Sequence, residues 1–395
     1  MKKIISTFLF IFFAISTLIA QDKRSQYPFG LHNAQFGVSV GYINYPFSFD
    51  QVQPGFTVES VGIPHPAVRI ILYGASLNKY FSARVTYMRP VNWVEYRNIN
   101  NQRLTKTVWM NIAGLTLNGQ FPISKKISVS AEAGLGVITR NGFDVDNKPV
   151  ITNANYGTGL FGGGIQYHLN RKWDLQISSA WSPENKKLKQ PATFFLGAGF
   201  NYFLRPLSAE RISIVEKAAH HFPKQQLILG LTTNVLGYGV NTAVSKGPVP
   251  IFWGGDAKVK MGVSAYYQRN IFHSKKVFAF DWAAGFGIWR TRGNETFVTI
   301  SINPVLRFTA MRKKFADFFL EYSVAGPTFI SKVKLDDIEL GRKFTFHDFM
   351  GIGMIAGPQR KIYAGIRIAH YSNGNIFPQN DGIMIPLTFN LGYCF

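Results

Sequence analysis

The sequence predicts an all-β protein, a transmembrane antiparallel β-barrel, laid out as two tandem eight-stranded barrels joined by a short helix. Three observations carry this. The chain opens with an export segment, and no later apolar run is long enough for a membrane helix. Aromatic residues make up 15% of the 395 positions, there are 37 Gly, and only 16% are charged, well below the usual quarter. Strand-like segments separated by turn residues then recur to the last residue.

The elements follow in order. Met1-Lys2-Lys3-Ile4 precedes an apolar stretch that ends at Ala20, so residues 1–20 read as a signal peptide. Residues 21–206 hold eight segments: 34–45, 66–76, 80–90, 106–119, 126–141, 155–169, 173–182 and 192–204. The run Val129 to Val137 shows the glycine usage of a tightly curved wall. The pattern changes within 207–223. Ser208 suits an N-cap, Arg211, Val215 and Ala219 recur at helical spacing, and Pro223 stops the helix. Eight further segments fill 224–395: 226–240, 256–270, 276–291, 295–311, 315–331, 343–357, 361–373 and 383–395. Each reaches the roughly 9–11 residues that a tilted spanning strand needs. The chain ends Tyr393-Cys394-Phe395, an aromatic terminus of the kind read by the barrel assembly machinery. A single barrel of about sixteen strands is the alternative reading.

The net charge is +22, which favours anionic partners. Export argues against nucleic acid, and the phosphorylated outer leaflet of a Gram-negative outer membrane is the better match. The single cysteine, Cys394, excludes an internal disulfide framework and a multi-cysteine metal site. No phosphate loop, Gly-x-Ser-x-Gly elbow or cofactor fingerprint occurs, so no cofactor or metal is expected.

One strand breaks the wall pattern. From Ile362 the even positions run Ile362, Ala364, Ile366 and Ile368, then His370 and Ser372. Alternation puts the last two on the same lipid-facing stripe, where polar groups are costly and point to function. Spacing of two on one strand face puts their Cβ atoms about 6–7 Å apart. The histidine can then take the proton that makes the serine a nucleophile. Acyl transfer also needs oxyanion donors, and Asn373 and the N–H of Gly374 are candidates.

The stretch His370-Tyr371-Ser372-Asn373-Gly374, followed by Pro378-Gln379-Asn380-Asp381-Gly382, resembles the signature of the PagL lipid A 3-O-deacylase family. Phe344 to Gly353 is similar to that family's preceding strand. The resemblance covers the second half of the chain and is most specific over 343–395. It implies an eight-stranded outer-membrane barrel that hydrolyses an ester-linked acyl chain of lipid A, with His370 as base, Ser372 as nucleophile and Asn373 at the oxyanion. Lipopolysaccharide and outer-membrane lipids are the implied partners. The family's orienting glutamate falls near Met384, which cannot serve. Asp381 is the nearest carboxylate and is taken as the third member. His347 and Asp348 offer another route, because a turn centred on residues 357–360 places His347 opposite His370. Two other readings stay open: a non-catalytic structural barrel or narrow porin, and a phospholipase.

Overall fold

The computed structural model describes residues 24–245, 254–374, 376–377 and 379–395. The expected signal peptide, 1–20, lies outside them. The described chain forms two closed barrels of eight antiparallel strands each, not one of sixteen.

The first barrel is built from β1 (Ala34–Asn44), β2 (Pro66–Ser76), β3 (Phe81–Pro90), β4 (Thr105–Pro122), β5 (Ile127–Asn141), β6 (Ala154–His168), β7 (Trp173–Ser182) and β8 (Thr193–Leu204). Neighbours in sequence pair, except that β1 pairs with both β2 and β8, which closes the ring. Alternation sorts the side chains. Leu115, Leu135 and Ile177 stand exposed on the outer wall, where bilayer hydrocarbon covers such residues. Inside, Glu132 is bonded by Arg69 and Thr116 and faced by Arg84 at 3.6 Å. A carboxylate in a closed lumen persists only when paired and hydrogen-bonded in this way.

After Leu204, helix α1 (Ala209–Glu216) is capped by Ser208, whose hydroxyl accepts from the Arg211 N–H. The N-terminal segment straps this linker to the second barrel. Arg24 donates to the Phe222 carbonyl at 3.1 Å, and the Arg24 carbonyl accepts from the His273 N–H at 2.9 Å.

The second barrel comprises β9 (Gln225–Thr233), β10 (Ala257–His273), β11 (Phe278–Thr291), β12 (Thr296–Arg312), β13 (Ala316–Ile330), β14 (Phe344–Ala356), β15 (Ile362–Ser372) and β16 (Ile383–Cys394). The first of these is shorter than the expected 226–240. A turn that includes Gly237, at φ +68°, breaks the strand, and a second helix, α2 (Gly239–Ser245), follows. With β9 ended, β10 reaches across and pairs in parallel with β16 through Ala257–Ile383 and Lys258–Met384. Asn241 of α2 donates to the Ile385 carbonyl at 2.9 Å, so a backbone acceptor beyond the end of β9 is still satisfied.

The lumen of this barrel is filled. Arg367 forks onto Glu321, which also accepts from the Tyr363 hydroxyl at 2.8 Å. Arg307 and Gln268 each donate to Asp281 at 2.6 Å. These charged groups are all buried, and the outer wall again carries exposed Leu229, Leu320, Ile352 and Leu391.

Candidate active site

The site lies at the end of the second barrel remote from Phe395, where β15 runs out into the turn before β16. On β15, Tyr363 and Arg367 meet Glu321 inside the barrel, and Tyr371 bonds Thr299 there. Odd positions therefore face the lumen. His370 and Ser372 take the other parity, on the outer face, two residues apart.

Register decides what surrounds the imidazole. On one side Asp348 of β14 is the direct partner of His370, and His347 is opposite Tyr371. The expectation that His347 faces His370 is therefore off by one residue. Strands β14 and β15 pair last at Ala356 and Ile362, leaving a five-residue connection in which Gly357 and Arg360 take positive φ. That odd length moves the register by one, and a one-residue slip exchanges the faces. His347 consequently sits in the lumen, fully buried. Its ring stacks on Tyr371 with centroids 4.5 Å apart, and its Nδ1 lies 3.3 Å from Asn303 Oδ1.

On the other side Met384 of β16 is the direct partner of His370. A bulge puts it there: Arg367 pairs with Thr388 but Ala369 with Ile385, so β16 carries one extra residue around Pro386. Proline has no N–H for the ladder and is tolerated where the ladder is broken. The position at which the resemblance places an acid thus flanks the imidazole and carries a thioether.

The imidazole is almost completely buried. The backbone of Ile383 hydrogen-bonds it. Gly382 closes over it: at φ +71°, a Cβ on this residue would stand 2.8 Å from His370 Cε1. In the sequence Gly382 reads only as part of a turn. Its fixed relation to the histidine depends on a fold-back that no local pattern specifies.

Ser372 is partly exposed. It borders a small hollow whose other walls include Thr345, Tyr371, Asn380, Gly382 and Ile383. Its cross-strand partner is Phe346, which meets Phe344 edge-on at 5.2 Å between centroids. Phe377 adds a third ring 6.5 Å from Phe344, and the Arg342 guanidinium lies 4.9 Å from the centre of the Phe377 ring. An apolar shelf with a cation at its margin therefore adjoins the hydroxyl.

The remaining candidates fall as follows. Asn373 is buried. Its backbone N–H donates to Asn380 Oδ1 at 2.6 Å, and its side-chain amide lies 3.4 Å from the Leu340 and Gln379 carbonyls. Those contacts tie the turn together. Gly374 takes φ +62° directly after it. Asp381 is exposed in the turn. Partial desolvation in the turn and the nearby carboxylates of Asp256 and Glu339 push its own carboxyl above the usual range. Asp348 is buried and accepts from the Ala325 N–H across the β13 bulge.

Comparison with known proteins bears on this same region. Residues 257–393 match the family model described as lipid A 3-O-deacylase (PagL). The lipid A deacylase PagL of Bordetella bronchiseptica is 33% identical over 73 residues, which is 18% of this chain and 39% of that protein. The match thus spans about two fifths of that relative's length. Among solved structures, the outer membrane enzyme PagL aligns at 18% identity and TM-score 0.30, covering 43% of this chain and 98% of that one. The N-terminal β-barrel domain of Pseudomonas aeruginosa OprF aligns at 16% identity and TM-score 0.28, with the same coverage. Residues 257–393, which span the second barrel from β10 into β16, are the part of this chain that matches the lipid A 3-O-deacylase (PagL) family.

Proposed function

We propose that the second barrel is an outer-membrane esterase that removes an ester-linked acyl chain from lipid A. The observation that carries the reading is the pairing of a buried histidine with a partly exposed serine, two residues apart on the outer face of a strand end. Substrate then arrives from the bilayer, and the phenylalanine shelf beside Ser372 receives its acyl chain.

The chemistry follows from these residues. Ser372 Oγ attacks the ester carbonyl carbon as His370 takes its proton. The tetrahedral oxyanion lies toward the turn, with the Gly374 N–H as its backbone donor. Collapse breaks the bond to the sugar oxygen, which leaves with the proton from His370. A water then gives its proton to His370 and its oxygen to the acyl carbon. The fatty acid departs and the serine regains its hydrogen. Ile383 holds the ring through its backbone. Asp348, directly across the ladder, is the carboxylate best placed to stabilise the imidazolium. Asp381 stands among other carboxylates, a poorer setting for that role. The narrow-porin reading loses support because buried ion pairs fill the lumen.

The test is the mass of lipid A extracted from cells that express the protein. Wild type should shorten it by one acyl chain, and Ser372→Ala should not. Asp348→Asn should slow release by about 10²-fold or more, through loss of the charge that stabilises the His370 imidazolium. Lipid A of identical mass with wild type and Ser372→Ala, at equal amounts of folded protein, rules the proposal out. Release of fatty acid from glycerophospholipid but not from lipid A selects the phospholipase reading.

A further inference from the structure

The outer wall of the first barrel carries a polar row where lipid-facing residues belong. Asn111 on β4, Thr139 on β5 and Asn155 on β6 are direct cross-strand partners, so their side chains share one face. That face is the outer one, because the adjacent Ile112 and Ile138 lie in the core of the barrel. Leu135, on the same face of β5, is 71% exposed, whereas Thr139 is 0% exposed. Something covers the row, and it is the other barrel. The Ile376 carbonyl, in the turn that follows Ser372, accepts from Thr139 Oγ1 at 3.1 Å and from Asn155 Nδ2 at 2.6 Å. Asn155 Nδ2 also donates to Thr139 Oγ1 at 2.7 Å. Amide and hydroxyl groups on a lipid-facing wall are costly unless satisfied. Here they converge on one backbone acceptor four residues beyond the candidate nucleophile.

We infer that the first barrel is a positioning element for the reaction, with Thr139 and Asn155 anchoring the turn that carries Asn373 and Gly374 beside Ser372. This rests on the esterase reading and extends it, because it gives the first barrel, whose sequence over 21–206 carries no His-x-Ser pair, a part in turnover. The linker and N-terminal strap tie the two barrels at one end, and the Ile376 contact ties them at the other. The orientation of the turn relative to Ser372 is therefore set in part from outside the barrel that holds the serine, in addition to the turn's own bonds.

The experiment uses the full chain in detergent micelles with lipid A. Thr139→Val/Asn155→Leu removes both donors and suits a lipid-facing wall. It should lower kcat about tenfold, the scale of one or two lost hydrogen bonds, with KM little changed. Thr139→Ser keeps the hydroxyl and should turn over like wild type. The difference in migration between unheated and heated protein on denaturing gels monitors barrel folding. Hydrogen exchange in a Ser372→Ala background provides a readout independent of catalysis. There the double substitution should speed exchange at Asn373, Gly374, Ile376 and Phe377. If the double variant does not fold, Asn155→Leu alone carries the same measurement. A kcat within twofold of wild type overturns the inference, and so does unchanged exchange in those amides. If the wild type hydrolyses nothing, the esterase reading fails, and the exchange result alone decides the anchoring.

Discussion

Gly382→Ala should disable the site by moving one ring. A Cβ at this position would lie 2.8 Å from His370 Cε1 and 3.3 Å from the Gly254 and Tyr371 carbonyl oxygens. Carbon atoms in contact settle at about 3.5–4.0 Å, so the imidazole must retreat by roughly 0.7 Å or more. The two carbonyls block the methyl from yielding instead. A misplacement near 1 Å costs about 10²-fold in rate. The substitution also strains the backbone, since φ is +71° there, by about 1–2 kcal/mol. Gly357→Ala separates the two effects. Gly357 has φ +90° with nothing within 4 Å of the added carbon, in the turn at the opposite end of β15. Both variants should lose similar stability, but only Gly382→Ala should lose acyl release, by about 30- to 100-fold. The assay is the initial rate of fatty-acid release from lipid A by folded protein. If Gly382→Ala releases acyl chains within threefold of Gly357→Ala, the imidazole is not held where the structure puts it, and the account of the site fails.

Two further outcomes follow from the same geometry. Asp381 has its carboxyl pushed up by partial desolvation, Asp256 and Glu339 from a free value of 3.8. An acid raised in this way binds its proton more tightly when folded, so stability falls as pH rises from near that free value through the folded one. Asp381→Asn should therefore raise the unfolding midpoint slightly at pH 7, with the gain absent near pH 3. It should also leave acyl release well above that of Asp348→Asn, and the reverse order would return Asp381 to the imidazole. In the lumen, Glu321→Gln leaves Arg367 without its paired charge and should cost about 3–5 kcal/mol, read from urea unfolding in micelles.

Most of the wall was legible in the sequence. The strands of the first barrel begin and end within two residues of expectation at most edges, because period-two alternation between turn clusters is a local signal. Closure into two rings was readable from the helical interruption and from strand counts on either side. What could not be read depends on partners distant in the chain. The shortening of β9 follows from the turn at Gly237 and from β10 being able to take its place against β16. The neighbour of His370 hinges on one residue in the Gly357 turn, and sequence spacing does not fix that count. The Pro386 bulge, which sets Met384 beside the histidine, is visible as a proline in a strand, but its effect on register is not. The polar row at Asn111, Thr139 and Asn155 was missed because each residue is unremarkable alone, and only three strands side by side assemble it.

The closing seam of the second barrel has a consequence for its biogenesis. Strand β16 is clasped by β9 running against it and, at its tip, by β10 running with it. A two-residue slide along β9 would preserve the pleat yet tear out the Ala257–Ile383 bridge, so the clasp admits a single alignment. The residues it fixes, Ile383 and Met384, are the ones that flank His370. Sealing the cylinder and organising the imidazole are then one event, and on the esterase proposal an assembly intermediate with an open seam would be chemically inert toward the surrounding lipid.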